Sequence, residues 1–75
     1  MPHIIVKLWP GRSEDQKQQL AGKIAEDVRN TLECKEESIS VAIEEIEQAD
    51  WKEKVYQPDI LTNIEKLYKK PGYSM

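Results

Sequence analysis

A chain of 75 residues with a net charge of −3 is too short for a large hydrophobic core and carries no extended basic surface. Its acidic and basic residues are interspersed, which argues against binding to nucleic acid or to an anionic membrane surface. Because no apolar stretch approaches a membrane span and no signal-peptide pattern is present, we expect one cytoplasmic domain over residues 1–75.

The cysteine content bears on how so small a domain is stabilised. The single cysteine, Cys34, cannot form an internal disulfide. Small domains without crosslinks commonly gain stability by oligomerisation. We therefore expect the chain to associate with copies of itself.

The first predicted element is a β-strand from Pro2 to Trp9, in which the side chains alternate between two faces. His3 lies on the face opposite Pro2, which favours a role in packing or in a subunit contact. Pro10 and Gly11 end the strand because proline lacks a backbone donor and glycine permits turn conformations.

A helix is predicted to begin near Ser13. The sequence from Ser13 to Gln16 is a capping box, and its two acidic residues suit the positive end of a helix. An apolar stripe continues to about Glu33 at helical spacing. Its members are Leu20, Ala21, Ile24, Ala25, Val28, Thr31 and Leu32.

Alternation resumes from Ser38 to Ile46 and predicts a second strand. Strand, helix and strand make a βαβ unit, so the two strands should be parallel and joined by a right-handed crossover. Because two strands alone are not a stable sheet, we expect a second subunit to complete it. The predicted fold class is α/β (α+β).

Two helical segments are predicted in the last third of the chain. A second capping box at Asp50–Glu53 opens a short turn that ends before Pro58. Pro58 suits the first position of a C-terminal helix, which Pro71 and Gly72 would end.

The residues that could perform chemistry are few. One histidine and one cysteine do not provide the ligands that a metal centre needs, and no cofactor motif is present, so we expect neither a metal nor a cofactor. Removal of Met1 would expose the secondary amine of Pro2, and Arg12 and Lys7 are cations that could favour its neutral form. Proline is also simply tolerated at the first position of a strand, so Pro2 alone leaves the function open.

Several segments together resemble the 4-oxalocrotonate tautomerase family. They are the initial Pro2-His3-Ile4, the strand to Leu8, Gly11-Arg12-Ser13 at the helix start, the second strand Ser38–Ile43, and the ending Lys69–Met75. The resemblance implies a tautomerase-type β-α-β unit with a C-terminal helix. It also implies cofactor-independent keto-enol tautomerisation of a 2-oxo acid, with Pro2 carrying the proton.

The resemblance implies three substrate-binding residues. Arg12 falls where the family binds a substrate carboxylate, although a solvated arginine is the alternative. Ser40 replaces the second arginine of hexameric members, which favours a monoacid such as the enol of phenylpyruvate. Trp51 falls where the family has an active-site phenylalanine, although it could equally be a core anchor.

For assembly, the resemblance implies a homodimer rather than a hexamer, with the helix from Pro58 covering sheet surface. Two alternatives to the tautomerase stay open. One is an oligomerising member of the fold without catalytic activity. The other is a hydratase, dehalogenase or decarboxylase that depends on Pro2.

Overall fold

Two strands and one long helix form the first part of the chain in the computed structural model, which describes residues 1–75. Strand β1 spans His3–Leu8, helix α1 spans Glu14–Leu32 and strand β2 spans Ser40–Glu45. These elements confirm the predicted βαβ unit. The chain divides into two compact units, Met1–Glu45 and Ile46–Met75, and the βαβ unit is the first.

Strands β1 and β2 pair in parallel along their whole length, from His3 opposite Ser40 to Leu8 opposite Glu45. Directly opposite residues project from the same face of a sheet. One face is largely apolar and carries Ile4, Val6, Leu8, Val41, Ile43 and Glu45. The other face carries His3, Ile5, Lys7, Ser40, Ala42 and Glu44.

Helix α1 covers the first of these faces. Its Lys17 Nζ lies 3.4 Å from Glu45 Oε2 at the end of β2. The inward side chains of the helix are partly buried and include Ala21, Ile24, Ala25 and Val28. The second face has no helix of this unit upon it, and Ile5 at its centre is 49% exposed.

The two ends of α1 are fixed by local backbone chemistry. Ser13 Oγ accepts a hydrogen bond from Gln16 N at 3.1 Å, and Gln16 Oε1 accepts one from Ser13 N at 3.0 Å. This is the predicted capping box. At the other end, Glu33 takes a left-handed conformation with φ 54°, which terminates the helix.

The first unit lacks a fully buried core. The only buried hydrophobic side chains of the protein are Val55 and Tyr56, and both belong to the second unit. Within the first unit, Leu20 and Leu32 on α1 remain 39% and 61% exposed. This unit therefore leaves much of its apolar surface available for association.

The second unit consists of two short 3₁₀ turns and one π-helix. A 3₁₀ turn spans Gln48–Asp50, a π-helix spans Lys52–Leu61 and another 3₁₀ turn spans Ile64–Lys66. Tyr56 packs against Tyr73, with their ring centroids 5.8 Å apart. No helix of the protein combines the length and the apolar character that crossing a membrane requires.

Two predictions for this unit were wrong. The C-terminal helix does not begin at Pro58, because the π-helix passes through this residue. Proline lacks an N–H and crowds the carbonyl four residues earlier, which disfavours the tighter α-helical turn. The predicted capping box at Asp50 is also absent, since Asp50 instead pairs with Lys54 Nζ at 3.5 Å.

We predict that Ser13→Ala lowers the free energy of unfolding by about 1 kcal/mol, because it leaves the Gln16 N–H without its cap. Denaturant unfolding at a fixed protein concentration measures the effect, with Ser74→Ala as a control outside the helix. Glu33→Gly should act in the opposite direction, since glycine adopts the left-handed conformation without strain. Equal stability of Ser13→Ala and the wild type would contradict the capping assignment.

Candidate active site

Pro2 stands immediately before β1, and its carbonyl oxygen is fixed by the neighbouring strand. Ser40 N donates a hydrogen bond to Pro2 O at 3.2 Å. Pro2 is half-buried, whereas Met1 is fully exposed at 103%. Removal of Met1 would therefore expose the nitrogen of an already anchored residue without loss of packing.

Ser40 is tied to the start of β1 through its side chain as well. Its Oγ lies 2.6 Å from His3 Nδ1, and both side chains project from the face of the sheet that α1 leaves open. His3 does lie on the predicted face. Sequence reasoning missed this contact, because alternation assigns a residue to a face but does not identify its partner on the other strand.

Arg12 lies at the other end of the βαβ unit. It lines a concave pocket of about 320 Å³ at the end of β1 and the start of α1. The pocket's other lining residues are Leu8, Gln16, Lys17 and Leu20. Gly11, whose φ is 124°, makes the turn that leads the chain from β1 to Arg12.

The two cations of this pocket differ in their partners. Lys17 pairs with Glu14 at 2.8 Å and with Glu45 at 3.4 Å. The hydrogen bond to Glu14 raises the pKa of Lys17, so Lys17 stays charged while its neighbours balance that charge. Arg12 is therefore the pocket residue best placed to bind a carboxylate, which a guanidinium can grip with two hydrogen bonds.

Pro2 and Arg12 of one chain are far apart. Strand β1 separates them, and at about 3.3 Å per residue the six steps from Pro2 to Leu8 span about 20 Å. Lys7 is similarly distant, near the far end of the strand. A single chain thus brings Ser40 to Pro2 but brings neither predicted cation there.

Trp51 belongs to the second unit, at the start of the π-helix. Its Nε1 donates a hydrogen bond to Tyr73 Oη at 3.0 Å. This contact fixes the indole ring and supports the alternative in which Trp51 anchors its own unit. Tyr73 was not singled out by sequence reasoning, because a contact across 22 residues leaves no local signal.

No group of three or more histidine, cysteine, aspartate or glutamate side chains is arranged to hold a metal ion. Several residues placed above are chemically suited to proton transfer or anion binding. The groups concerned are the Pro2 nitrogen once freed, the Ser40 hydroxyl and the Arg12 guanidinium.

Comparisons with known proteins assign the family. A family model described as "Tautomerase enzyme" matches residues 2–53. A probable tautomerase from Xylella fastidiosa (strain 9a5c) is 47% identical over 73 residues, covering 97% of this chain and 89% of that protein. Tautomerase PptA of Enterobacter sp. (strain 638) is 41% identical over 76 residues, covering 100% of both chains.

Solved structures agree with the sequence relatives. YwhB, a homologue of 4-oxalocrotonate tautomerase, superposes with a TM-score of 0.61 at 40% identity, over 63% of this chain and 77% of that chain. SAR1376 of methicillin-resistant Staphylococcus aureus, a putative 4-oxalocrotonate tautomerase, gives 0.60 at 35% identity, over 61% and 74%. The chain therefore belongs to the tautomerase family and is an isomerase of that type.

Proposed function

We propose that the protein catalyses keto-enol tautomerisation of a 2-oxo acid such as the enol of phenylpyruvate, with the Pro2 amine as base and then acid. The observation that carries this proposal is the placement of Pro2. Its carbonyl is held by Ser40 N, while Met1 makes no packing contact that its removal would break. A rigid amine at the head of a strand suits repeated proton transfer, because no side-chain rotamers need to be frozen.

The proton transfers balance without a cofactor. The neutral Pro2 amine removes the proton from the enol hydroxyl, which leaves an enolate with its charge on the oxygen at C2. The resulting ammonium then protonates C3 and returns to its neutral form. The product is the keto isomer of the same acid.

The position of Arg12 supports a site shared between two chains. The two-stranded sheet leaves the outer edge of β1 without a neighbouring strand. If two β1 strands pair antiparallel across a twofold axis, the Pro2 end of one lies against the Arg12 end of the other. Pairing through β2 would instead leave the β1 strands about three strand spacings apart, or about 14 Å.

The exposed apolar surface of the first unit supports the same association. This unit has no fully buried side chain, and Ile5 and Trp9 of the β1 segment are 49% and 46% exposed. An unpaired edge beside such side chains is a surface that proteins normally cover. We therefore propose a homodimer in which each active site takes Pro2 from one chain and Arg12 from its partner.

The lining of the Arg12 pocket supports a monoacid substrate. Leu8 and Leu20 provide apolar walls beside the guanidinium, which suits one carboxylate joined to an apolar body. Ser40 can donate a hydrogen bond but supplies no second charge. The assignment of Trp51 to the substrate site rests on the family resemblance.

Blocking the Pro2 nitrogen should abolish activity without disturbing the fold. We expect a form that retains Met1, and the variant Pro2→Ala with Met1 removed, to lose about 10² to 10⁴-fold in kcat/KM, the usual contribution of general acid–base catalysis. The rate is measured from the decrease in absorbance as phenylpyruvate enol is consumed. Mass spectrometry establishes the N-terminus of each sample.

Pro71→Ala is the matched control, because it alters a proline outside the proposed site. Wild-type rates in the form that retains Met1 would require a different base. An inactive wild type would instead favour either a non-catalytic member of the fold or a different Pro2-dependent reaction.

Subunit mixing tests the shared site. We expect Pro2→Ala and Arg12→Ala proteins to be impaired separately. When equal amounts are refolded together they should recover about a quarter of wild-type activity. About half of the dimers are then mixed, and each mixed dimer contains one intact site of its two. Native mass spectrometry confirms that mixed dimers form, and a sample that contains them without recovering activity would contradict a shared site.

The dimer itself has a direct test. Light scattering should give about twice the chain mass of 8.7 kDa. A mass six times that of the chain would show a hexamer and would overturn the proposed assembly.

Ile5→Asp should weaken association, because it places a charge at the centre of the open face of the sheet.

A further inference from the structure

We infer that His3 is a positioning residue for the tautomerase reaction, because its Nδ1 atom orients the Ser40 hydroxyl as a hydrogen-bond donor to the oxygen on C2 of the substrate. His3 itself does not touch the substrate in this arrangement. The role depends on the proposed function, since it concerns the same site.

The register of the sheet brings the two side chains together at the head of β1. His3 and Ser40 form the first opposed pair of the ladder, and the distance between Nδ1 and Oγ is 2.6 Å. Ser40 N also donates to Pro2 O at 3.2 Å. One residue is thus bound through its backbone to Pro2 and through its side chain to His3.

The Pro2 nitrogen is close enough for one small substrate to reach both groups. A residue's own nitrogen lies within about 4 Å of its carbonyl oxygen, so the Pro2 nitrogen is within about 7 Å of Ser40 N. Ser40 therefore stands beside the amine, and the inferred role places the C2 oxygen of a 2-oxo acid held there against the Ser40 hydroxyl.

The position of the imidazole proton decides whether the Ser40 hydroxyl can donate a hydrogen bond to a ligand. If Nδ1 accepts, the hydroxyl proton points at the ring, and Oγ can only accept from a ligand. If Nδ1 donates, the hydroxyl proton is free for another acceptor. An enolate oxygen only accepts hydrogen bonds, so binding it requires the arrangement in which Nδ1 donates to Ser40 and Ser40 donates to the substrate.

This chain of donors acts where charge develops. Removal of the enol proton by Pro2 places negative charge on the C2 oxygen, and an oriented donor stabilises that charge most in the transition state. Loss of the orientation should therefore lower kcat. Loss of Arg12, which binds the unchanging carboxylate, should mainly raise KM.

Two amide substitutions separate positioning from packing. His3→Asn places an N–H group near the position of Nδ1, whereas His3→Gln carries its amide farther from the strand, near the position of Nε2. We expect His3→Asn to stay within about threefold of the wild-type kcat, and His3→Gln and Ser40→Ala to fall about tenfold or more with little change in KM. In the Ser40→Ala background, His3→Gln should have no further effect.

Ser38→Ala is the matched control. It removes a hydrogen bond of 2.7 Å from the Ser38 hydroxyl to Lys35 O, close to the start of β2, and kcat should not change. Thermal unfolding at equal protein concentration shows whether each variant is folded.

Equal kcat values for His3→Asn and His3→Gln, or additive losses in the double variant, would overturn the role of His3. If the proposed function itself is wrong, the wild-type protein will show no tautomerisation that depends on Pro2. If the wild type is active and Pro2-dependent, the two amide variants decide the role of His3 alone.

Discussion

The parallel pairing of β1 with β2 is the constraint on which the rest of the structure depends. It requires a long crossover, which α1 supplies, and it gathers the starts of both strands at one end of the sheet. Pro2, His3 and Ser40 consequently meet at that end, while Arg12 follows the other. The separation of Pro2 from Arg12 is thus a result of topology rather than of any local preference.

The same topology explains why the first unit does not complete its own core. A helix on one side covers one face of a two-stranded sheet, and the opposite face and the outer edges need other cover. In a larger α/β domain further βαβ units would provide it. In the proposed homodimer a second copy would provide this cover, and a site formed between the two copies would need no additional sequence.

Local patterns predicted the first 45 residues well, because each element there is encoded by its own side chains. Alternation identified both strands, and Ser13 with Gln16 identified the start of α1. The second unit was less predictable, since Pro58 signals the start of a helix while it actually lies inside a π-helix. The Trp51–Tyr73 and His3–Ser40 contacts depend on packing and register, which no local window contains.

The two tryptophans lie in different units, and this divides the intrinsic fluorescence of the protein between them. Trp9 follows β1 and is 46% exposed, whereas Trp51 is partly buried and hydrogen-bonded to Tyr73. Emission from Trp9 reports on solvent access at the end of β1, and emission from Trp51 reports on the packing of the second unit. The emission spectrum of the protein is therefore the sum of a signal from the end of β1 and a signal from the C-terminal unit.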